Sequence, residues 1–161
     1  MFKTVLWATD GSETAAGALP YALELASGKN TRLVVLHVRE IFVGRGGGYP
    51  VLADETELRE KIGDQVNDLR AGGLDATFIV RTCTAGHAAH AIVDVARELE
   101  ADLIVVGTHG YGRVAGLLLG SVTQGLLHVG VCPVLAVPTG TPDDARKPAN
   151  SVGEEAVAGV R

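Results

Sequence analysis

The chain has 161 residues, the size of one ordinary domain, which argues against a second. It is 47% hydrophobic but only 4% aromatic, so a core has to be built from Val, Leu, Ile and Ala, the usual composition of buried parallel strands. A net charge of -5 scattered along the chain, with no run of Lys or Arg interleaved with aromatics, argues against a nucleic-acid-binding face.

The first apolar run, Thr4 to Ala8, ends at Thr9-Asp10-Gly11-Ser12, a turn cluster in which Ser12 is placed to cap a following helix. That helix should reach about Ser27, with Pro20 kinking it or delaying its regular start. Arg32 to Val38 is a second β-branched strand. The Gly44 to Pro50 stretch that follows, with Gly at 44, 46, 47 and 48, reads as a flexible loop of the kind that covers ligands. From Asp54, Leu58, Ile62, Val66 and Leu69 recur at helical spacing until Gly72-Gly73 stops the helix. Asp75 to Cys83 is a third strand, and Ala88, Ile92, Val95 and Leu99 mark a third helix. Leu103 to Val106 is a fourth strand. After a glycine-rich segment come a helix from about Ser121 to Val129 and a fifth strand, Val134 to Val137.

Alternating strands and helices imply an α/β fold of three layers, a doubly wound parallel sheet of five strands with helices on both faces. If the chain winds outward in both directions from the first strand, the order is 3-2-1-4-5, and Asp10 and Gly107 face one crevice at the switch point. The domain spans 1–138. Residues 139–161 are rich in Pro, Ala, Gly and charge without apolar periodicity, and read as a flexible tail. Val114 to Pro138 carries no charge, but its glycines, Gln124, His128 and Pro133 divide it into loop, helix and strand, so no membrane span is expected. Cys83 and Cys132 lack CxxC spacing and the opening residues do not form a signal peptide, which points to the cytoplasm and to inert buried thiols.

The chemistry is concentrated in Gly107-Thr108-His109-Gly110-Tyr111-Gly112-Arg113 and the Gly120-Ser121 that opens the next helix. Glycines let the backbone approach a phosphate, and the free N–H groups around Ser121, Val122 and Thr123 point at it along a favourable helix dipole. Ser121 adds a donor or caps the helix, and Arg113 supplies a guanidinium matched to phosphate geometry.

Gly107-x-x-Gly110, nine residues, then Gly120-Ser121 resembles the G-2x-G-9x-G-[S/T] signature of ATP-binding universal stress proteins. Val5 to Gly11, Ala101 to Gly107 and Cys132 to Val137 are similar to that family's opening, fourth and closing strands. The resemblance covers about Phe2 to Pro138. It implies ATP, or AMP or ADP, carried with Mg²⁺ across strands one and four, in a stress-response module rather than an enzyme. By position, Ala8, Thr9 and Asp10 would lie at the nucleotide, with Asp10 on the ribose, Val38 at adenine through its backbone and Gly107 close to the sugar. Gly110, Arg113, Gly120, Ser121 and Val122 would hold the phosphates. A homodimer is also implied, with closing strands 134–137 meeting across a two-fold axis; that edge strand carries no charge to prevent pairing.

Other readings are weaker. Asp10 alone could start an Asx-turn. Gly110-Tyr111-Gly112-Arg113-Val114-Ala115 fits GxGxxA, but no acidic residue follows about twenty positions on, and GxxxxGK[ST] and GxSxG are absent. His87 and His90 have no further ligands to complete a metal site, His37 reads as a core-edge residue, and His128 as a helix C-terminal one. A slow ATPase or phosphotransferase lacks a clear general base and an acidic metal pair.

Overall fold

The computed structural model describes residues 2–44, 47–50, 54–109 and 119–138. Its central strand is β1 (Thr4–Thr9), buried at all six positions because it has a strand on each side and helices on both faces. On one side it pairs in parallel with β2 (Arg32–Gly44), Thr4 opposite Arg32 through Thr9 opposite His37. β2 pairs in turn with β4 (Ala76–Thr84) over Leu33 to Ile41. On the other side β1 pairs with β5 (Leu103–Gly107), and β5 with β6 (Val134–Val137). The parallel order β4-β2-β1-β5-β6 is the expected 3-2-1-4-5, with the switch point between β1 and β5.

The sheet departs from expectation at one corner. β2 runs six residues past Val38, and its far end pairs antiparallel with β3 (Gly47–Pro50), making a mixed sheet of six strands among the described residues rather than a parallel sheet of five. The glycine-rich composition had indicated a loop. Ladder hydrogen bonds use only the backbone, and the β-branched and aromatic continuation Ile41-Phe42-Val43 supplies a strand for the glycines to pair with. Gly48 also lies against Ile41, where an added Cβ would sit 3.0 Å from Cδ1. Residues 45, 46 and 51–53 lie outside the described residues.

The predicted first helix is divided into α1 (Glu13–Ala16) and α2 (Leu19–Ala26), with Pro20 in the first turn of α2, where its missing N–H has no partner to lose. Ser12 caps α1, its Oγ accepting the Ala15 N–H at 3.1 Å. α2 and α3 (Glu55–Ala71) cover one face of the sheet, where Ala18, Ala22, Ile62 and Val66 pack on Val5, Trp7, Leu33 and Val35. α4 (Ala88–Glu98) and α5 (Ser121–Val129) cover the other, with Ile92, Val93 and Leu126 against Leu6, Leu36 and Ile104. Burying each such large aliphatic side chain contributes about 1.5–3 kcal/mol. α4 and α5 approach closely at Gly125, where a Cβ would come within 2.7 Å of the Ala89 Cβ. No helix among the described residues is long and apolar enough to cross a membrane.

Candidate functional site

The β1–β5 ladder stops at Trp7 and Val105, short of the carboxyl ends from which β1 leads into α1 and β5 toward α5. A crevice of about 280 Å³ opens between them. Its apolar part comes from alternate residues of the strands, Ala8, Leu36, Val38 and Val106, with Ala88 and Ile92 of α4 beneath. Its polar part comes from Asp10, Glu40, His109 and the first turn of α5, where Ser121, Val122 and Thr123 line the wall.

The turn after β1 is held by its own side chains. Asp10 Oδ1 accepts the Ser12 N–H at 3.0 Å and the Ser12 hydroxyl at 2.6 Å, and the Gly11 N–H donates to Thr9 Oγ1 at 3.0 Å. The Asx-turn reading is therefore realised, and it leaves Asp10 lining the crevice. Gly11 has φ +77, and a Cβ there would meet Leu58 Cδ1 at 2.0 Å, so both backbone and packing call for glycine.

On the β5 side, an added Cβ at Gly107 would lie 3.0 Å from the Thr14 carbonyl oxygen and 3.2 Å from the Ala15 Cα. The missing side chain lets β5 and α1 touch backbone to backbone. The start of α5 is pinned to the same point: Thr123 Oγ1 donates to the Gly107 carbonyl at 2.9 Å and the Gly120 N–H to the Thr108 carbonyl at 2.6 Å. Thr108 itself donates to Val137 at 2.9 Å. The first intrahelical bond of α5 is Gln124 N–H to Gly120 C=O, so the N–H groups of Ser121, Val122 and Thr123 precede the ladder at the positive end of the dipole.

Of the residues picked out from the sequence, Ala8, Thr9, Asp10, Val38, Gly107, Gly120, Ser121 and Val122 meet in this crevice. Gly110 and Arg113 lie outside the described residues. Two local details differ. Gly120, not Ser121, occupies the N-cap, with Ser121 the first helical residue, and the Gly120 N–H is already taken by Thr108. Sequence reasoning missed Leu36 and Glu40, and took Thr123 for its backbone N–H rather than for the hydroxyl that reaches Gly107. Glu40 follows Val38 on the same strand face, a period-two signal hidden because the strand was expected to stop at Val38.

The other titratable candidates lie elsewhere or are engaged. His37 is fully buried, Nδ1 lying 3.1 Å from the Thr9 carbonyl and Nε2 2.9 Å from Glu55 Oε1. His87 lies 3.2 Å from both Thr84 Oγ1 and the Ala85 carbonyl, and His128 Nδ1 lies 2.9 Å from the Gln124 carbonyl in the last turn of α5. Among the described residues no three His, Cys, Asp or Glu side chains gather as metal ligands would. Cys83 and Cys132 are half-buried rather than buried. Burial pushes both thiols up, Cys83 further through Glu40 and Cys132 further through Asp102 against a lowering bond from Ile104, which disfavours the thiolate.

The sequence model of the Universal stress protein family matches residues 1–138. A universal stress protein of Thermus aquaticus, named for its place 3′ of a QAH/OAS sulfhydrylase, is 35% identical over 140 residues, 85% of this chain and 99% of its own length. Universal stress protein MJ0577 of Methanocaldococcus jannaschii is 30% identical over 85% of this chain and 95% of its own. The solved structure of MJ0577 superposes with a TM-score of 0.66 at 27% identity, covering 88% of this chain and 99% of that one. A universal stress protein solved in complex with cAMP superposes with a TM-score of 0.60, also at 27% identity, covering 86% and 98%. With the doubly wound sheet, the crevice at its switch point and a family match over all of the described residues, the chain belongs to the universal stress protein family.

Proposed function

We propose that the crevice binds an adenine nucleotide, ATP with Mg²⁺ as the leading ligand, and that the chain acts as a nucleotide-regulated stress-response module in the cytoplasm. The observation that carries this reading is the meeting of three chemistries in one cleft: an apolar slot, a carboxylate and a helix start with its amides ahead of the ladder. Adenine suits the slot of Ala8, Leu36, Val38 and Val106, where the Val38 backbone can address its edge. Asp10 accepts from ribose hydroxyls, and Gly107 leaves room for the sugar. The phosphates lie against Gly120, Ser121 and Val122, with Gly110 and Arg113 contributing from the intervening segment. The first turn of α5 fits them: a helix N-terminus whose first N–H groups precede the ladder favours anions. Asp10 and Glu40 are the only carboxylates among the described lining residues, so Mg²⁺ arrives with the phosphates, which supply most of its ligands. The adenine ligand of the cAMP-bound relative supports the base and sugar assignment more directly than the number of phosphates.

Occupancy would change a surface read by partners. The assembly proposed is a homodimer through β6. This strand ends the sheet, pairs among the described residues with β5 alone, and keeps Val134, Leu135 and Ala136 half-exposed beside Val131, which is 43% exposed. A monomeric mass by light scattering at micromolar concentration would count against it.

Nucleotide content tests the main reading. The protein is purified without added ligand and denatured, and released adenine nucleotide is identified by chromatography; empty preparations are titrated with ATP and Mg²⁺. Release or binding by the parent and not by a folded Asp10→Ala, Gly120→Val variant is the expected result. A well-folded parent that neither releases nor binds nucleotide overturns it, and conversion of ATP to ADP that depends on Asp10 would redirect it to a slow ATPase.

A further inference from the structure

On the face of β2 that carries Leu33 and Val35 the next residue, His37, is a fully buried histidine, and its partner Glu55 is itself 7% exposed. Burying an ionisable pair is costly beside burying aliphatic residues such as those that precede it, so the pair calls for a role that packing alone would not fill. Its hydrogen bonds indicate one. The Thr9 carbonyl can only accept, so His37 Nδ1 carries a proton and donates to it at 3.1 Å. Nε2 then faces Glu55 Oε1 at 2.9 Å, and a bond between those atoms needs one further proton held by the pair, on the ring or on the carboxyl.

The bonded carbonyl is the last of β1, and it belongs to the planar peptide unit that contains the Asp10 nitrogen. Fixing that carbonyl fixes the plane from which Asp10 leaves the strand. The helix that holds Glu55 meets the same turn a second time, through Leu58 against Gly11 one turn further along α3. Thr9, Asp10 and Gly11 are thus buttressed from one helix end, by a hydrogen-bonded relay at one residue and by packing at another.

We propose that His37 and Glu55 are positioning residues for the nucleotide site: the relay from Glu55 through His37 to the Thr9 carbonyl sets the orientation of Asp10 and hence its affinity for the ribose. The proposal rests on the adenine-nucleotide reading. Neither side chain touches the ligand in it, so its signature is a change in affinity that a conservative replacement repairs.

The test titrates the full chain with ATP and Mg²⁺ by calorimetry, beside Glu55→Ala, Glu55→Gln and His37→Leu, each checked for native circular dichroism and melting. Glu55→Gln retains an N–H that can donate to Nε2, whereas Glu55→Ala leaves the ring nitrogen unpaired and His37→Leu fills the space without a donor for Thr9. Expected is about a tenfold loss of ATP affinity, close to 1.4 kcal/mol, in folded Glu55→Ala and His37→Leu, with Glu55→Gln within about threefold of the parent. Parent-like affinity in either folded Glu55→Ala or folded His37→Leu overturns the proposal, as does a loss in Glu55→Gln equal to that in Glu55→Ala. A measurement on the parent needs no variant: long-range proton–nitrogen NMR should show His37 protonated at Nδ1, with the ring signals shifting when ATP is added. An Nδ1 without its proton, or ring signals indifferent to bound ATP, also overturns it. A folded parent that binds no nucleotide fails the underlying reading instead, and is recognised by the absence of any titration in the parent itself.

Discussion

At the amino end of the sheet the chain closes on itself. Asp102, just before β5, accepts the N–H groups of Lys3 and Thr4 at 2.6 and 2.8 Å, and Arg32 at the start of β2 donates to Thr4 Oγ1 at 3.0 Å and to the Leu99 carbonyl at 2.9 Å. Thr31 completes the closure through its hydroxyl to the Phe2 carbonyl at 2.7 Å. At the carboxyl end the same strands part around a crevice, glycines stand where backbones touch, and a helix begins with amides ahead of its ladder. The contrast follows from winding direction: β1, β4 and β5 each lead to the next helix from the same end of the sheet, so connections spread there and leave a cleft at the switch point. One end is tied by hydrogen bonds and the other holds the crevice proposed to bind nucleotide, and substitutions should separate the two.

The largest effect is expected at Gly107. A valine there would place its Cβ against the Thr14 oxygen and the Ala15 Cα, backbone atoms that cannot rotate aside. Overpacking costs about 1–3 kcal/mol and more where the backbone must move, so Gly107→Val should lose about 3 kcal/mol in urea unfolding, together with ATP binding. Parent-like stability would mean that β5 and α1 are not held at contact.

Gly11→Ala comes next. Its left-handed φ costs an L-residue about 1–2 kcal/mol, and the new methyl must displace Leu58 as well. Because Leu58 is a side chain, a double-mutant cycle separates the two costs: with Leu58→Ala, the penalty at Gly11 should fall toward the conformational part alone. Purely additive losses would remove Leu58 from the account of this turn.

Thr123→Val should cost about 1–2 kcal/mol, since it keeps the shape but leaves the Gly107 carbonyl without its hydroxyl partner. It should also weaken ATP binding by loosening the start of α5, where an amino-end change of equal stability cost should not.

Much of this division was legible in the sequence. Val-, Leu- and Ile-rich runs separated by turn chemistry marked the strands, and Gly107 and Gly120-Ser121, picked out by their likeness to a family signature, fall at the crevice end. What escaped was non-local or independent of side chains. β3 is a backbone ladder laid over glycines, invisible to propensity. The His37–Glu55 pair joins residues 18 apart on different elements, and nothing in either local pattern announces it. Glu40 was lost to a boundary: a strand expected to stop at Val38 does not present the next residue on its face.

The smallest effect is expected at the amino end, and it is the one that tests the comparison most directly. The N–H groups of Thr4 and Lys3 hold the Asp102 carboxyl below its usual range, helped by the charges of Lys3 and the chain terminus. A carboxylate whose folded value lies below its unfolded value of about 3.9 stabilises the fold above that pH, and its contribution is lost as pH falls through the lower folded value. Asp102→Asn retains an oxygen for the two N–H groups but has no proton to gain. Its melting temperature should therefore lie slightly below the parent's at neutral pH, with the gap closing as the solution is acidified past the range where the parent's carboxylate titrates. Melting curves across that range give the comparison, and ATP titration at neutral pH completes it. Unchanged affinity is expected, because Asp102 lies at the opposite end of β5 from Gly107. A variant that melts like the parent but binds ATP more weakly would show that the amino-end closure reaches the crevice along β1 and β5, and that the two ends do not divide the work.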